Sequence, residues 1–184
     1  MNLWVLTGYV AHAVETFYNL AVVSTSGIDM QLAMGVPLGP GEVQVAWNAA
    51  WVDAYDVRSS NKVPAEHFVG TIGGFAGSYP EWKWVVDLRY AWRGLDAGVS
   101  WRYVAPMHDV NETEVTIPHR DYFAVDGSYS FDTDWLHGLT LRAGIENLTD
   151  EMPPLVPSRA LANTDPSQYD VLGRRYFVSL SMKF

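Results

Sequence analysis

The sequence predicts an all-β fold: an antiparallel transmembrane β-barrel segment of about seven strands. Three observations carry that expectation. Apolar and polar residues alternate with a period of two along successive segments. The connections between those segments alternate short and long, as in barrels with tight turns at one end and extended loops at the other. Aromatic residues also collect at strand ends: Tyr90, Trp92, Tyr129, Phe131 and Phe184 on the short-turn side, and Trp51, Tyr55, Trp82, Trp101, Tyr103 and Tyr176 on the long-loop side. Amphipathic rings sit well at the two interfaces of a bilayer.

The last strand states the pattern most plainly. Tyr176, Val178, Leu180, Met182 and Phe184 share one parity, while Arg175, Phe177, Ser179, Ser181 and Lys183 share the other. Strand side chains point alternately to opposite faces, so this segment has one apolar and one mainly polar face. Bacterial outer-membrane barrels end on such an outward aromatic. The five apolar residues are therefore read as a C-terminal assembly signal, and outer-membrane lipid and the assembly machinery as partners.

Composition narrows the classes. At 184 residues the chain allows one ordinary domain, and with no cysteine it has neither disulfides nor thiolate metal ligands. Eight Trp and ten Tyr suit interfacial girdles. No run approaches the roughly twenty apolar residues of a membrane helix. A net charge of -9 without a basic cluster speaks against nucleic acid as a partner. No Lys or Arg precedes Arg58, so Met1–Leu6 lacks the basic start of a secretory signal, and an export signal is expected on sequence ahead of these residues.

Residues 1–17 fit neither period and form an N-terminal segment of uncertain structure; residues 18–184 form the barrel segment. From Gly27 to Val36 the even positions are apolar, and Pro37-Leu38-Gly39-Pro40-Gly41 is a dense turn signal. Val43, Val45, Trp47, Ala49 and Trp51 line one face of the next strand. A long polar connection is expected from Asp53 to Pro80. Trp82, Trp84, Val86, Leu88, Tyr90 and Trp92 then alternate with charges, Arg93-Gly94 reverses the chain, and Leu95, Ala97, Val99, Trp101 and Tyr103 return. After a second long connection, Met107 to His119, come Phe123, Val125, Tyr129 and Phe131. A turn over 132–138 leads to Leu139, Leu141, Ala143 and Ile145, and a third long loop, Thr149 to Leu172, reaches the final strand.

Alternation also assigns faces. Trp84, Val86, Leu88, Val99, Leu141, Ile145, Val178 and Leu180 are expected toward lipid. Lys83, Asp87, Arg89, Arg102, Asp126, Arg142, Glu146 and Lys183 are expected on the inner face, where charges form a solvated lumen wall or line a path. A slip of one residue would place Arg or Lys in hydrocarbon at about 2–4 kcal/mol each.

Residues with chemical potential read mostly as structure. His67, His108, His119 and His137 have no ligand spacing, so neither metal nor cofactor is expected. Asn163, Thr164, Asp165 and Asp170 are oxygen donors, but Asx and Pro residues dominate turns for local hydrogen-bonding reasons. His119, Asp121 and Ser128 make the nearest catalytic constellation. They point in mixed directions on an extended strand, so no enzyme is expected. Arg174 and Arg175 are placed to meet lipid-headgroup phosphates.

The stretch Leu141-Arg142-Ala143-Gly144-Ile145-Glu146-Asn147-Leu148-Thr149-Asp150, with Asn163-Thr164-Asp165-Pro166-Ser167-Gln168-Tyr169-Asp170 and Gly173-Arg174-Arg175-Tyr176-Phe177, resembles the carboxyl end of TonB-dependent outer-membrane receptors. Weaker likeness lies in Thr25–Asp29, Gly70–Gly74 and Pro80–Lys83, so the resemblance covers residues 18–184. It marks Asn163, Asp165, Pro166, Tyr169, Asp170, Gly173 and Arg174 as a family loop. It implies a receptor of about twenty-two strands around a plug, in the outer membrane of a Gram-negative bacterium. Such receptors actively take up iron chelates, including siderophores, or other large nutrients. The partners implied are the remainder of the receptor (plug and N-terminal strands) and, through it, the TonB energising complex. These residues amount to the C-terminal third of such a barrel. The plug and most strands lie outside them, so the segment is not expected to transport alone. Two alternatives stand beside this reading. One is a small autonomous eight-stranded porin-like or adhesin-like barrel, with residues 1–17 adding a strand. The other is a soluble β-sandwich or lipocalin-like binder.

Overall fold

A computed structural model describes residues 22–60, 62–73, 77–112, 115–131, 138–157 and 163–182. They form β1 (Val22–Leu38), β2 (Gly41–Arg58), β3 (Glu66–His67), β4 (Thr71–Ile72), β5 (Trp82–Trp92), β6 (Leu95–Val104), β7 (Met107–Asp109), β8 (Thr116–Ile117), β9 (Arg120–Phe131), β10 (Leu139–Glu146) and β11 (Arg175–Ser181). The fold is all-β, with no helix among the described residues.

Seven strands pair antiparallel in the order β1-β2-β5-β6-β9-β10-β11, with β3 added beside β2. This is a meander, so consecutive connections fall at opposite ends of the sheet. The short ones share one end and the three long ones share the other. β1 and β11 stand at the two limits of the path, and the sheet is not closed into a barrel.

Register turns the alternation of each strand into continuous faces. Met34, Val45, Leu88, Val99, Val125, Ile145 and Tyr176 lie opposite one another in turn, one apolar row across all seven strands. The neighbouring row, Gly35, Gln44, Arg89, Gly98, Asp126, Gly144 and Phe177, belongs to the opposite face. Side chains of the apolar face stay open: Leu88 is 49% exposed, Val99 46% and Val178 75%.

The buried core sits elsewhere. Ile72, Met107, Ile117, Val156 and Tyr169 come from the three long connections and pack with Val104 and Tyr122 at the strand ends. β4, β7 and β8 form a second small sheet there, with β4 parallel to β7 and β7 antiparallel to β8. The long connections thus make one cap rather than three separate loops.

Two expectations need correction. The connection expected from Asp53 begins only after Arg58, because β1 and β2 continue as a ribbon with Val22 opposite Arg58. The register shifts between Ser26 and Gly27, and the Ser26 hydroxyl donates to Asp53 at 3.1 Å. Polar residues there follow the bulge rather than a loop. The first long connection, expected to be polar, and the second hold short strands, and all three long connections contribute to the core. Their apolar residues are spaced too widely to show a period.

Candidate functional site

Every side chain with charge on the sheet is positioned by strand parity. On the polar face the Arg89 guanidinium bridges Asp96 and Asp126, the latter at 2.9 Å. Arg142 reaches the other oxygen of Asp126 at 3.2 Å and lies over the Phe177 ring at 5.5 Å. A Cβ at Gly98 would stand 2.9 Å from the Arg89 guanidinium, so the missing side chain makes room for that arginine. Asp87 lies one row nearer the long loops, between Ala46 and Ser100, and is exposed.

Nearer the cap, Arg102 donates to the Gln168 carbonyl at 3.1 Å and lies over the Tyr122 ring at 4.3 Å. Arg175 holds Glu146 at 2.7 Å and Asp170 at 2.9 Å. Burial works to raise the Asp170 carboxyl. The Arg175 hydrogen bond, the Leu172 amide and the charges of Arg175 and Arg102 outweigh it and hold the group below the usual carboxylate range. Lys83 lies beside this region, half-buried on the same face.

The loop singled out by resemblance serves to close the cap. Asp165 is 2% exposed, and its carboxylate accepts from the Ser78 hydroxyl across 87 positions of chain and from the Ser167 amide and hydroxyl. The amides of Gln168 and Tyr169 donate back to the Asp165 carbonyl, making one tight turn. Tyr169 is buried in the core, and burial pushes its hydroxyl pKa up, so it stays neutral. The Asp170 amide donates to the Tyr122 hydroxyl at 3.3 Å. Gly173 has φ of 71°, and the Arg174 amide donates to Asp150 at 2.9 Å. Asn163 and Asp150 also adopt positive φ, 54° and 56°. Pro166 is exposed beside them.

Other expected residues fall as follows. Tyr176, Val178, Leu180 and Met182 share the apolar face and are exposed, whereas Phe184 and Lys183 lie outside the described residues, as do residues 1–17 and His137. His67 pairs with Asp56 and His119 with Asp121 at 3.5 Å. Ser128 lies opposite Asp96, seven residues along β9 from Asp121, about 24 Å away. No catalytic group assembles there. Among the described residues no cluster of three His, Cys, Asp or Glu could hold a metal ion. The Arg175 guanidinium, with Arg174 one of two cations placed at lipid phosphates by the sequence, is paired within the chain to Glu146 and Asp170.

The chain matches no family model, no curated protein and no solved structure.

Several residues of the site escaped sequence reasoning. Alternation places Asp96 on the polar face, but its pairing with Arg89 depends on which strands are neighbours. Asn147 gave less signal. It is buried with φ of 52°, donates to the Glu151 carbonyl at 3.0 Å and accepts from the Glu151 amide at 2.8 Å. Ser78 gave none, because its partner is distant in sequence.

Proposed function

We propose that this chain is the C-terminal wall of an outer-membrane transport barrel of the TonB-dependent receptor kind, its polar face toward the lumen and its apolar face toward lipid. One observation carries the reading: a seven-strand apolar face left uncovered, with the chain's own core placed beyond the strand ends. A soluble sheet must bury its apolar face against another layer, and no such layer occurs among the described residues. On this reading lipid is the apolar partner of that face. β5 supports this in its dimensions. Its eleven residues match the nine to eleven of a tilted transmembrane strand, and it begins and ends on Trp. The aromatic bands agree: Trp51, Trp82, Trp84, Trp101 and Tyr103 stack or cross near the cap, and Tyr129 meets Phe131 at the other end.

In this role the paired charges keep the inner wall wetted and rigid, and the cap fixes the outer vestibule. Uptake of iron chelates or comparable nutrients belongs to the complete receptor, with its plug and remaining strands.

The test is residues 1–184 refolded into bilayers with brominated acyl chains. Single-Trp variants keeping Trp84 or Trp101 are expected to be quenched. A protein that is monodisperse without detergent, with both tryptophans unquenched, overturns the reading.

A further inference from the structure

We propose that the aromatic belt at the cap end of the apolar face binds the ammonium headgroup of a membrane lipid. The inference rests on the lipid reading of that face and adds the headgroup chemistry. Trp47, Trp82, Trp84, Val86, Trp101 and Tyr103 line one groove there. Register sets them side by side. Trp47, Val86, Trp101 and Phe123 form one row, and Ala49, Trp84, Tyr103 and Asp121 form the next toward the cap. The second row therefore ends on a carboxylate. Asp121 accepts the Trp101 indole N–H at 2.6 Å and lies 3.5 Å from the His119 imidazole. A second carboxylate, Glu81, accepts the Trp51 indole N–H at 3.4 Å, and Trp51 stacks on Trp82.

Among the described residues no Lys or Arg lies within ion-pair distance of Glu81 or Asp121; Arg120, next to Asp121 in sequence, is turned to Glu151 at 3.1 Å. Each carboxylate has taken one indole N–H and keeps further acceptor capacity. Indole and phenol ring faces attract a cation, and so does a carboxylate. A headgroup that ends in an ammonium gains from both. One that carries only phosphate and hydroxyls meets repulsion from the two carboxylates. The belt at the short-turn end has the opposite character, since Arg93 lies over the Trp92 ring at 5.2 Å. The preference for an ammonium thus belongs to the cap end alone.

The test uses residues 1–184 refolded into bilayers of phosphatidylethanolamine and phosphatidylglycerol in equal parts. Bromine is carried on the acyl chains of one lipid, then of the other. Trp4, Trp92 and Trp135 are replaced by Phe, so that emission comes from Trp47, Trp51, Trp82, Trp84 and Trp101. Brominated phosphatidylethanolamine is expected to quench more strongly, with an association constant about threefold higher. Glu81→Gln combined with Asp121→Asn should bring that ratio to about one, and Tyr103→Leu should lower it. Arg93→Gln, at the other belt, leaves it unchanged. If the double variant does not refold, each single carboxyl variant should lower the ratio by itself. Equal quenching by the two lipids, indifference to the carboxyl variants, or an equal fall in Arg93→Gln overturns the site and leaves the lipid reading standing. Quenching by neither lipid overturns the lipid reading and the site with it.

Discussion

At the scale of single residues, glycine and asparagine do work that parity does not reveal. A Cβ at Gly144 would stand 2.6 Å from the Phe177 ring and 2.8 Å from the Val125 carbonyl. The ring can turn aside but the backbone cannot. Gly144→Ala should therefore destabilise the β9-β10-β11 region by about 1–3 kcal/mol. Combining it with Phe177→Ala should restore only part of that, read from urea unfolding of the refolded chain. Asp170 gives a pH prediction. Its folded pKa is depressed, so the stability it adds is complete above the unfolded value near 4 and is lost as pH falls through the folded pKa. The gap in unfolding midpoint between wild type and Asp170→Asn should shrink below about pH 4; a gap independent of pH refutes the assignment. Charges on the polar face were legible in the sequence because strand geometry alone assigns a face. Their partners were not, because pairing depends on which strands are neighbours.

At the scale of elements, the seven long strands were visible because each repeats a two-residue period over seven residues or more. The strands of two or three residues in the connections were invisible for the same reason: a two-residue strand has no period. β2 was read too short because the bulge that leaves Asp53 without a register partner, opposite Ser26/Gly27, interrupts its alternation. The turn after β10 depends on Asn147, whose side chain stands in for a strand partner. Asn147→Ala removes both bonds to Glu151 and puts a Cβ residue without side-chain compensation at positive φ, a loss of about 2–4 kcal/mol. Asn147→Gly keeps the φ and loses only the bonds, so it should fall between wild type and the alanine variant in the same unfolding assay.

At the scale of the whole molecule, an open sheet and a closed core are joined in one chain. Among the described residues the outer edges of β1 and β11 have no strand partner, and on the proposed reading each unpaired backbone group there is costly in lipid. Refolded alone, the chain should associate with itself, show no heat-modifiable monomer and conduct no ions. A monodisperse monomer with a defined conductance would instead favour the small autonomous barrel. The cap should behave as one unit. Met107→Ala, at a fully buried position, is expected to cost about 2–5 kcal/mol. Amide exchange should then quicken in all three long connections together, not only in the one that carries the mutation.

The shared core of the cap also sets an order of events. Its bond from Ser78 to Asp165 spans 87 positions, and Gln168 returns to the Ser78 carbonyl across 90. Closing such distances is unfavourable until the intervening hairpins have shortened them. The cap is then a late seal, formed only when β5, β6, β9 and β10 already stand in register and β11 has arrived. A strand docked one residue out would present the wrong parity to the cap and leave Arg175 without Glu146 and Asp170. A cap that fails to lock is therefore the expected mark of an incorrectly threaded chain, to be read from the loss of slow amide exchange in the cap after the strands are protected.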